Sequence, residues 1–128
     1  MRLLLDTHIL IWALLDHPML SRSARALLGD PDNTIWISSI SFFEVSIKRS
    51  LGRSGLQCST AEVKQYVEQS HLGVLGLSAR HACTLEELPW LHRDPFDRIL
   101  VAQALTEPMR LVTHDDWVTQ YSDSIIKV

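Results

Sequence analysis

The sequence predicts an α/β protein with a central, mostly parallel sheet of about five short strands flanked by helices. Short apolar runs of the kind found in buried strands alternate along the chain with segments whose apolar residues recur at three- and four-residue spacing. Strands that alternate with helices form parallel sheets, because each helix carries the chain back to the start of the next strand. A length of 128 residues suits one domain, which we expect to span residues 1–128.

The N-terminal third predicts two strands with helices between and after them. Residues 2–5 form an apolar strand, and the denser apolar pattern over 9–14 is that of a buried helix. An Asp-His-Pro sequence breaks that helix, and a second helix opens at Ser21. The β-branched and aromatic residues of 34–38 predict the second strand.

The middle of the chain predicts two more helices, a third strand and a further helix. A helix from Ser41 ends before Gly52, where a loop over 52–59 begins. Thr60 opens an amphipathic helix, residues 74–77 form the third strand, and a helix follows from Ser78 to about Leu88.

The C-terminal third predicts one long helix and two short strands. The helix covers 95–105, and the strands cover 110–113 and 124–128. We find no internal repeat and no interdomain linker in the sequence.

Composition predicts a soluble, cytoplasmic protein. Asp6 interrupts the apolar start, which favours a first strand over a signal peptide, and uncharged stretches reach only about half of the roughly 20 residues that cross a membrane. Cys58 and Cys83 lack the paired spacing of a zinc or redox motif, as expected in a reducing compartment. The net charge of −3 neither supports nor excludes an RNA substrate.

Carboxylates follow the apolar runs or begin the helices of this predicted fold. If the strands are parallel neighbours, these acids meet at one edge of the sheet, where open α/β sheets bind ligands. Such a cluster repels itself unless divalent cations occupy it, and Mg²⁺ and Mn²⁺ prefer carboxylate oxygens. The sequence therefore predicts a metal-dependent enzyme. The five acids are Asp6, Glu44, Asp94, Asp97 and Asp115.

Each acid also has a purely structural explanation as a helix cap. Asp6 could cap a helix that begins at Thr7, and Glu44 could be the third-position acid of a capping box. Asp94 precedes a proline in the preferred first helical position, which leaves Asp97 as another third-position acid. Acids at several strand ends nevertheless favour one working site, since the other predicted helix starts carry hydroxyl residues.

The motifs around these acids resemble the PIN-domain family, and within it the VapC-type toxins. The similarity lies in Leu-Leu-Leu-Asp-Thr-His at 3–8, in 38–48 around Glu44, in Leu-Pro at 88–89 with His-Arg-Asp-Pro-Phe-Asp-Arg at 92–98, and in 111–115. The resemblance implies a PIN-like three-layer sandwich, a Mg²⁺- or Mn²⁺-dependent endoribonuclease with RNA as substrate, and a cognate antitoxin. It implies a metal-binding and catalytic role for all five acids.

Basic residues near the acids are candidates for contacts with RNA phosphates. The alternative is a solvated helix face, or pairing of Lys48 with Glu44 at four-residue spacing. The candidates are Lys48, Arg49, Arg93 and Arg98.

Hydroxyl and imidazole groups beside the acids predict supporting roles. Thr7 and Thr113 are expected to donate hydrogen bonds to the acids. His8, His92 and His114 match no zinc motif, and a site made of oxygens needs no histidine.

Two partner surfaces are suggested by apolar residues. Trp90, beside a proline in a loop, is a candidate for a partner surface. The leucine-rich first helices could support a homodimer or an antitoxin groove, although burial against the sheet explains them more simply.

Three other functions compete with the nuclease. A phosphoacceptor receiver domain would require paired acids after the first strand and an acid after the third, and a phosphatase with an aspartate nucleophile would require an acid where His8 stands. The stronger alternative is a non-catalytic module that binds RNA or protein. Retention of every acid argues against it, because unneeded like charges cost stability.

Overall fold

The computed structural model describes residues 1–52 and 56–128 of the chain. Within them a five-stranded sheet has the order β3-β2-β1-β4-β5, and all four neighbouring pairs are parallel. This confirms the predicted α/β class and its parallel sheet. The strands are β1 (Arg2–Leu5), β2 (Thr34–Ser38), β3 (Gly73–Leu75), β4 (Arg110–Thr113) and β5 (Ile126–Lys127).

Helices connect these strands and cover both faces of the sheet. They are α1 (Thr7–Leu15), α2 (Arg22–Gly29), α3 (Ser39–Ser50), α4 (Thr60–Gln69), α5 (Ala79–Glu87), α6 (Pro95–Thr106) and α7 (Asp116–Thr119). The predicted loop over 52–59 falls partly outside the described residues.

Alternation along the central strand divides the core into two layers. Leu3 and Leu5 of β1 point to one face, where they join buried residues of α1, α3 and α4. Leu4 points to the other face and joins buried residues of α6, β4 and α7. All three leucines are almost completely buried. The result is the predicted three-layer sandwich.

The departure that affects a predicted site residue is the start of α3. The helix begins at Ser39, and the Ser38 hydroxyl caps it by accepting the Ile40 N–H at 3.1 Å. The predicted start at Ser41, with Glu44 in a capping box, is therefore wrong, and Glu44 lies in the second turn. A serine at the very end of β2 caps the helix without an intervening loop, which the apolar pattern through Ile40 obscures.

The other departures are small. Strand β3 occupies 73–75 rather than 74–77, with Gly73 packed so tightly against Trp36 that an added Cβ would lie 2.6 Å from the indole ring. Strand β5 is shorter than the predicted 124–128. Helix α7 is missing from the prediction because four residues are too few to show a helical period.

The described part of the chain contains no helix that is both long and apolar enough to cross a membrane. Cys58 is buried, Cys83 is exposed, and both thiols are free.

Candidate metal centre

Chain direction brings the five acids to the carboxyl edge of the sheet. β1 and β4 are neighbours, so Asp6 and Asp115 emerge near one another just beyond their ends. α3 leaves the same edge directly after β2, and α6 must begin there because it leads back into β4. The structure thus brings together the acids that the sequence predicts as one site. We call them the acidic rim: Asp6, Glu44, Asp94, Asp97 and Asp115.

Asp6 is the most rigidly held member of the acidic rim. Its side chain is buried, its Oδ1 accepts the Ile9 N–H at 2.8 Å, and its Oδ2 accepts the Thr113 hydroxyl at 2.5 Å. Burial raises the pKa of Asp6 above its usual range, against the opposing effect of these two donors. One residue therefore serves as helix cap and rim acid at once.

Glu44 is also buried, and only half of its carboxylate is satisfied. Oε2 accepts from Lys48 Nζ at 2.5 Å, four residues along α3. Oε1 is buried without a hydrogen-bond partner among the described residues. Although partial burial opposes it, pairing with Glu44 raises the pKa of Lys48. A buried carboxylate oxygen with no donor among the described residues is suited to bind a cation.

Asp94, Asp97 and Asp115 form the more accessible part of the rim. Asp94 caps α6 by accepting the Phe96 N–H at 2.9 Å, and Asp115 caps α7 by accepting the Trp117 N–H at 2.8 Å. The Asp94 cap agrees with the structural explanation that the sequence offers for this acid, whereas the Asp115 cap is not predicted. Capping uses one oxygen of each carboxylate, and the second oxygen of Asp115 faces His92 Nε2 at 3.1 Å.

The electrostatics of the rim converge on Asp97. Burial and, after it, the negative charges of the other four rim acids together raise the pKa of Asp97 to about 8. Without a cation, Asp97 therefore retains its proton near neutral pH. Partial burial acts to raise the pKa of Asp115 as well, but hydrogen bonds from the Trp117 N–H and His92 lower it overall.

His92 lies between two of the acids. Its Nε2 is 3.1 Å from Oδ2 of Asp97 and 3.1 Å from Oδ2 of Asp115, and ligand atoms of these three residues all fall within 4.8 Å of one another. His92 Nδ1 accepts the Asp94 N–H at 3.1 Å, so a neutral ring carries its proton on Nε2 and donates a hydrogen bond to Asp115. The His92 ring thus lies at the position between the two carboxylates where a cation would also bind.

The sequence does not favour a site role for His92, because no metal motif contains it. The available signal was local: a histidine two residues before a capping aspartate can accept that residue's own N–H. His8 is exposed beside Asp6 and Asp115 in a cavity at the rim, and His114 Nδ1 lies 2.7 Å from the Val128 carbonyl oxygen.

The two threonines divide. Thr113 contacts Asp6 as described, and its Oγ1 also accepts the Asp115 N–H at 3.1 Å. Thr7 instead shares a buried 2.9 Å hydrogen bond with the hydroxyl of Ser41. Ser41, which the sequence does not single out, therefore ties α1 to α3 behind the rim.

Three of the four basic candidates for RNA contact are engaged by other groups of the protein, and one is exposed. Lys48 is paired with Glu44, and the Arg49 guanidinium donates to the carbonyl oxygens of Leu56 and Cys58. Arg98 is buried, and donates to the Pro89 carbonyl at 2.8 Å and the Tyr121 hydroxyl at 3.0 Å. These bonds occupy the Arg98 guanidinium within the protein, so its position does not require a phosphate partner. Arg93 is exposed beside the rim.

The rim residues fit a hard divalent cation. The donor set is oxygen-rich, Glu44 offers a buried acceptor with no partner among the described residues, and burial and the neighbouring acids raise the pKa of Asp97 to about 8. A divalent cation relieves both conditions. The set is unlike a structural zinc site, which uses cysteine and histidine.

Comparisons with known proteins agree with the fold and the motifs. The chain is 29% identical over 113 residues to Ribonuclease VapC22 of Mycobacterium tuberculosis (strain ATCC 25618 / H37Rv), a match that covers 88% of this chain and 85% of the relative.

Two solved structures share the fold over the whole chain. One is VapBC2 from Rickettsia felis bound to a DNA fragment from their promoter, with a TM-score of 0.72, 24% identity, and coverage of 100% of this chain and 98% of that chain. The other is VapBC-1 from nontypeable Haemophilus influenzae, with a TM-score of 0.68, 20% identity, and coverage of 100% and 97%.

The PIN domain family matches residues 3–122, a span that begins in β1 and includes every acid of the rim. The chain belongs to the PIN domain family.

Proposed function

We propose that the chain is a metal-dependent endoribonuclease, in one domain over residues 1–128, that hydrolyses RNA phosphodiester bonds at the acidic rim. The observation that carries the proposal is the convergence of five acids from α1, α3, α6 and α7, where burial and the charges of the other four raise the pKa of Asp97 to about 8. A cluster of acids that opposes its own ionisation costs stability, and a functional role explains why the chain contains it. The 29% identical relative, a ribonuclease, agrees with this reading.

The rim acids would hold Mg²⁺ or Mn²⁺ through their carboxylate oxygens. When bound, such an ion supplies Lewis acidity, which makes water acidic enough to yield a nucleophile near neutral pH and offsets charge on the phosphodiester. No serine or cysteine nucleophile is then needed.

The protein's own residues would prepare this site. Thr113 fixes the orientation of the Asp6 carboxylate, and Lys48 holds one oxygen of Glu44 while leaving the other free. His92 Nε2 lies 3.1 Å from an oxygen of both Asp97 and Asp115, and so would hold the two carboxylates next to each other. Supporting donors of this kind typically contribute ten- to a hundredfold to metal affinity or activity.

Arg93 is the candidate for a direct phosphate contact, because it is exposed beside the rim. Lys48 would act chiefly through Glu44, and Arg49 and Arg98 through the carbonyl groups that they hold. Fewer basic side chains would therefore contact RNA phosphates directly than the sequence alone suggests.

Cleavage of single-stranded RNA by purified protein tests this function. The parent is compared with Asp6→Asn, Asp97→Asn and the control Asp123→Asn, which removes the same charge from an exposed site, in Mg²⁺, Mn²⁺ or a chelator. We expect cutting by the parent and the control only with metal, and losses of at least about a hundredfold in both rim variants. Equal activity in all four proteins would indicate a contaminating nuclease and contradict the proposal.

We further propose that the enzyme is the toxin of a toxin–antitoxin pair, because the structures that share its fold include VapBC complexes. Expression should arrest growth, and co-expression of a neighbouring antitoxin gene should restore it. Expression of Asp6→Asn provides the control, since arrest by that variant would separate toxicity from the rim. A homodimer and a cytoplasmic location, both expected from the sequence, stay predictions that sedimentation and fractionation can test.

A further inference from the structure

Two large indole rings stand exposed next to the acidic rim. Trp90 is 81% exposed and Trp117 is 60% exposed, and both line one cavity of about 530 Å³ with Leu91, His92 and Arg93. Exposed tryptophans that share a cavity are unusual on a protein surface without a partner, because each leaves a large apolar area in water. The volume lies within the range of small-ligand sites.

The loop that carries Trp90 is firmly held. The Tyr121 hydroxyl accepts the N–H groups of Leu91 and His92 at 3.2 and 3.0 Å. The buried Arg98 guanidinium lies 4.1 Å from the centre of the Trp90 ring and is itself bonded to the Pro89 carbonyl and Tyr121. One face of Trp90 thus rests on a fixed cation while the ring remains largely open to solvent.

The cavity shares residues with the rim. His92 lines the cavity and contacts Asp97 and Asp115, while the backbone N–H of Trp117 donates to Asp115. A group bound in this cavity is therefore adjacent to the acids. Arg93 gives the cavity a positive charge, which suits a ligand that carries phosphates.

We propose that this cavity binds an unpaired nucleobase of the RNA substrate by stacking on Trp90 and Trp117, next to the phosphodiester held at the rim. The inference rests on the proposed function and deepens it, since it makes the substrate single-stranded RNA. Stacking is the interaction that an indole face offers to any base, and it requires the base to be free of a partner strand. It also supplies affinity where the rim acids repel the phosphates.

Binding of a labelled single-stranded RNA, measured by fluorescence anisotropy, tests the proposal. All proteins carry Asp6→Asn so that cleavage does not interfere, and Trp90→Ala, Trp117→Ala, Trp90→Phe and Leu51→Ala are compared. Leu51, 62% exposed at the far end of α3, is the control for loss of an exposed apolar side chain. A fully paired RNA duplex of the same sequence serves as the second ligand.

We expect each tryptophan-to-alanine change to weaken single-strand binding by roughly fivefold to a hundredfold, the loss typical of one base stack. Trp90→Phe should retain most of the affinity, Leu51→Ala should retain all of it, and the duplex should bind weakly to every protein. Single-strand affinity that is unchanged in both alanine variants would overturn the proposal and leave the two indoles as a surface for a protein partner.

The outcomes separate this inference from the nuclease itself. RNA binding that depends on the tryptophans, in a parent protein that never cuts RNA, would support the cavity and contradict the proposed function. Metal-dependent cutting by a protein whose RNA affinity does not change when either tryptophan is replaced would support the proposed function and contradict the role of the cavity.

Discussion

The inner and outer halves of the acidic rim are built differently. Asp6 and Glu44 are buried at 5% and 2% exposure, and fixed donors on Thr113 and Lys48 hold them. Asp97 and Asp115 have side chains exposed by 17% and 38%, and they share one imidazole. The difference suggests that the inner half is preorganised by the fold, while the outer half is adjusted by its ligand.

The largest effect is expected from Glu44→Gln in the inner half. The change removes the charge opposite Lys48 and weakens the free buried acceptor, so RNA cleavage should fall at least about a hundredfold. Glu68→Gln is the matched control, since Glu68 also pairs with a lysine four residues away, Lys64, but on the exposed face of α4. Comparable losses in both variants would show that general stability, and not the site, is responsible.

A smaller loss is expected from Thr113→Val, which removes the hydroxyl that orients Asp6. Activity should fall about ten- to a hundredfold, as is usual for groups that support metal ligands. Thr7→Val is the control of equal size, because the Thr7 hydroxyl contacts Ser41 and no rim acid. It should lower stability by about 1 kcal/mol with little change in activity. Steady-state kinetics and thermal unfolding distinguish the two, and an equal loss of activity in both would contradict the assignment.

The outer half predicts a gain in stability from Asp97→Asn. The pKa of Asp97 rises from 3.8 to about 8 in the folded chain, so between these values the folded state holds a proton that the unfolded state has lost. The stabilisation from this residue is complete below pH 4, declines as the pH rises, and is gone above about pH 8. Without metal, Asp97→Asn should therefore unfold at a higher temperature than the parent, with a difference that widens from pH 4 to pH 8.

The expected gain at pH 8 is on the order of 1–3 kcal/mol, since one pKa unit corresponds to about 1.4 kcal/mol and residual solvent reduces the full shift. Thermal unfolding in a chelator measures it, and Asp123→Asn again controls for the loss of one charge. A variant that is less stable than the parent at pH 8 would mean that Asp97 is ionised and well compensated without a cation.

Sequence patterns predict much of this architecture because burial dictates them. Apolar runs identified β1, β2 and β4, and Asp6 and Asp94 were recognised as caps from the residues that follow them. The sequence does not reveal the start of α3, because a serine cap at the end of an apolar strand causes no break in the apolar pattern.

The candidate site was predictable in its acids but not in their supports. Strand direction alone brings carboxylates to one edge, whereas the place of His92 and the burial of Arg98 depend on how the loop after α5 folds against Tyr121. The contacts of His92 with Asp115 and Tyr121, and of Arg98 with Tyr121, join residues 23 to 29 positions apart, and no local spacing encodes them. Trp90 was recognised as a surface residue, but its shared cavity with Trp117 required coordinates.

The central claim is that the acidic rim holds a divalent cation, and calorimetric titration of Mn²⁺ into metal-free protein tests it most directly. We predict saturable uptake by the parent and by Asp123→Asn, with affinity at least tenfold weaker in Asp6→Asn. Absence of uptake by the parent, or equal uptake by all three proteins, would contradict the claim.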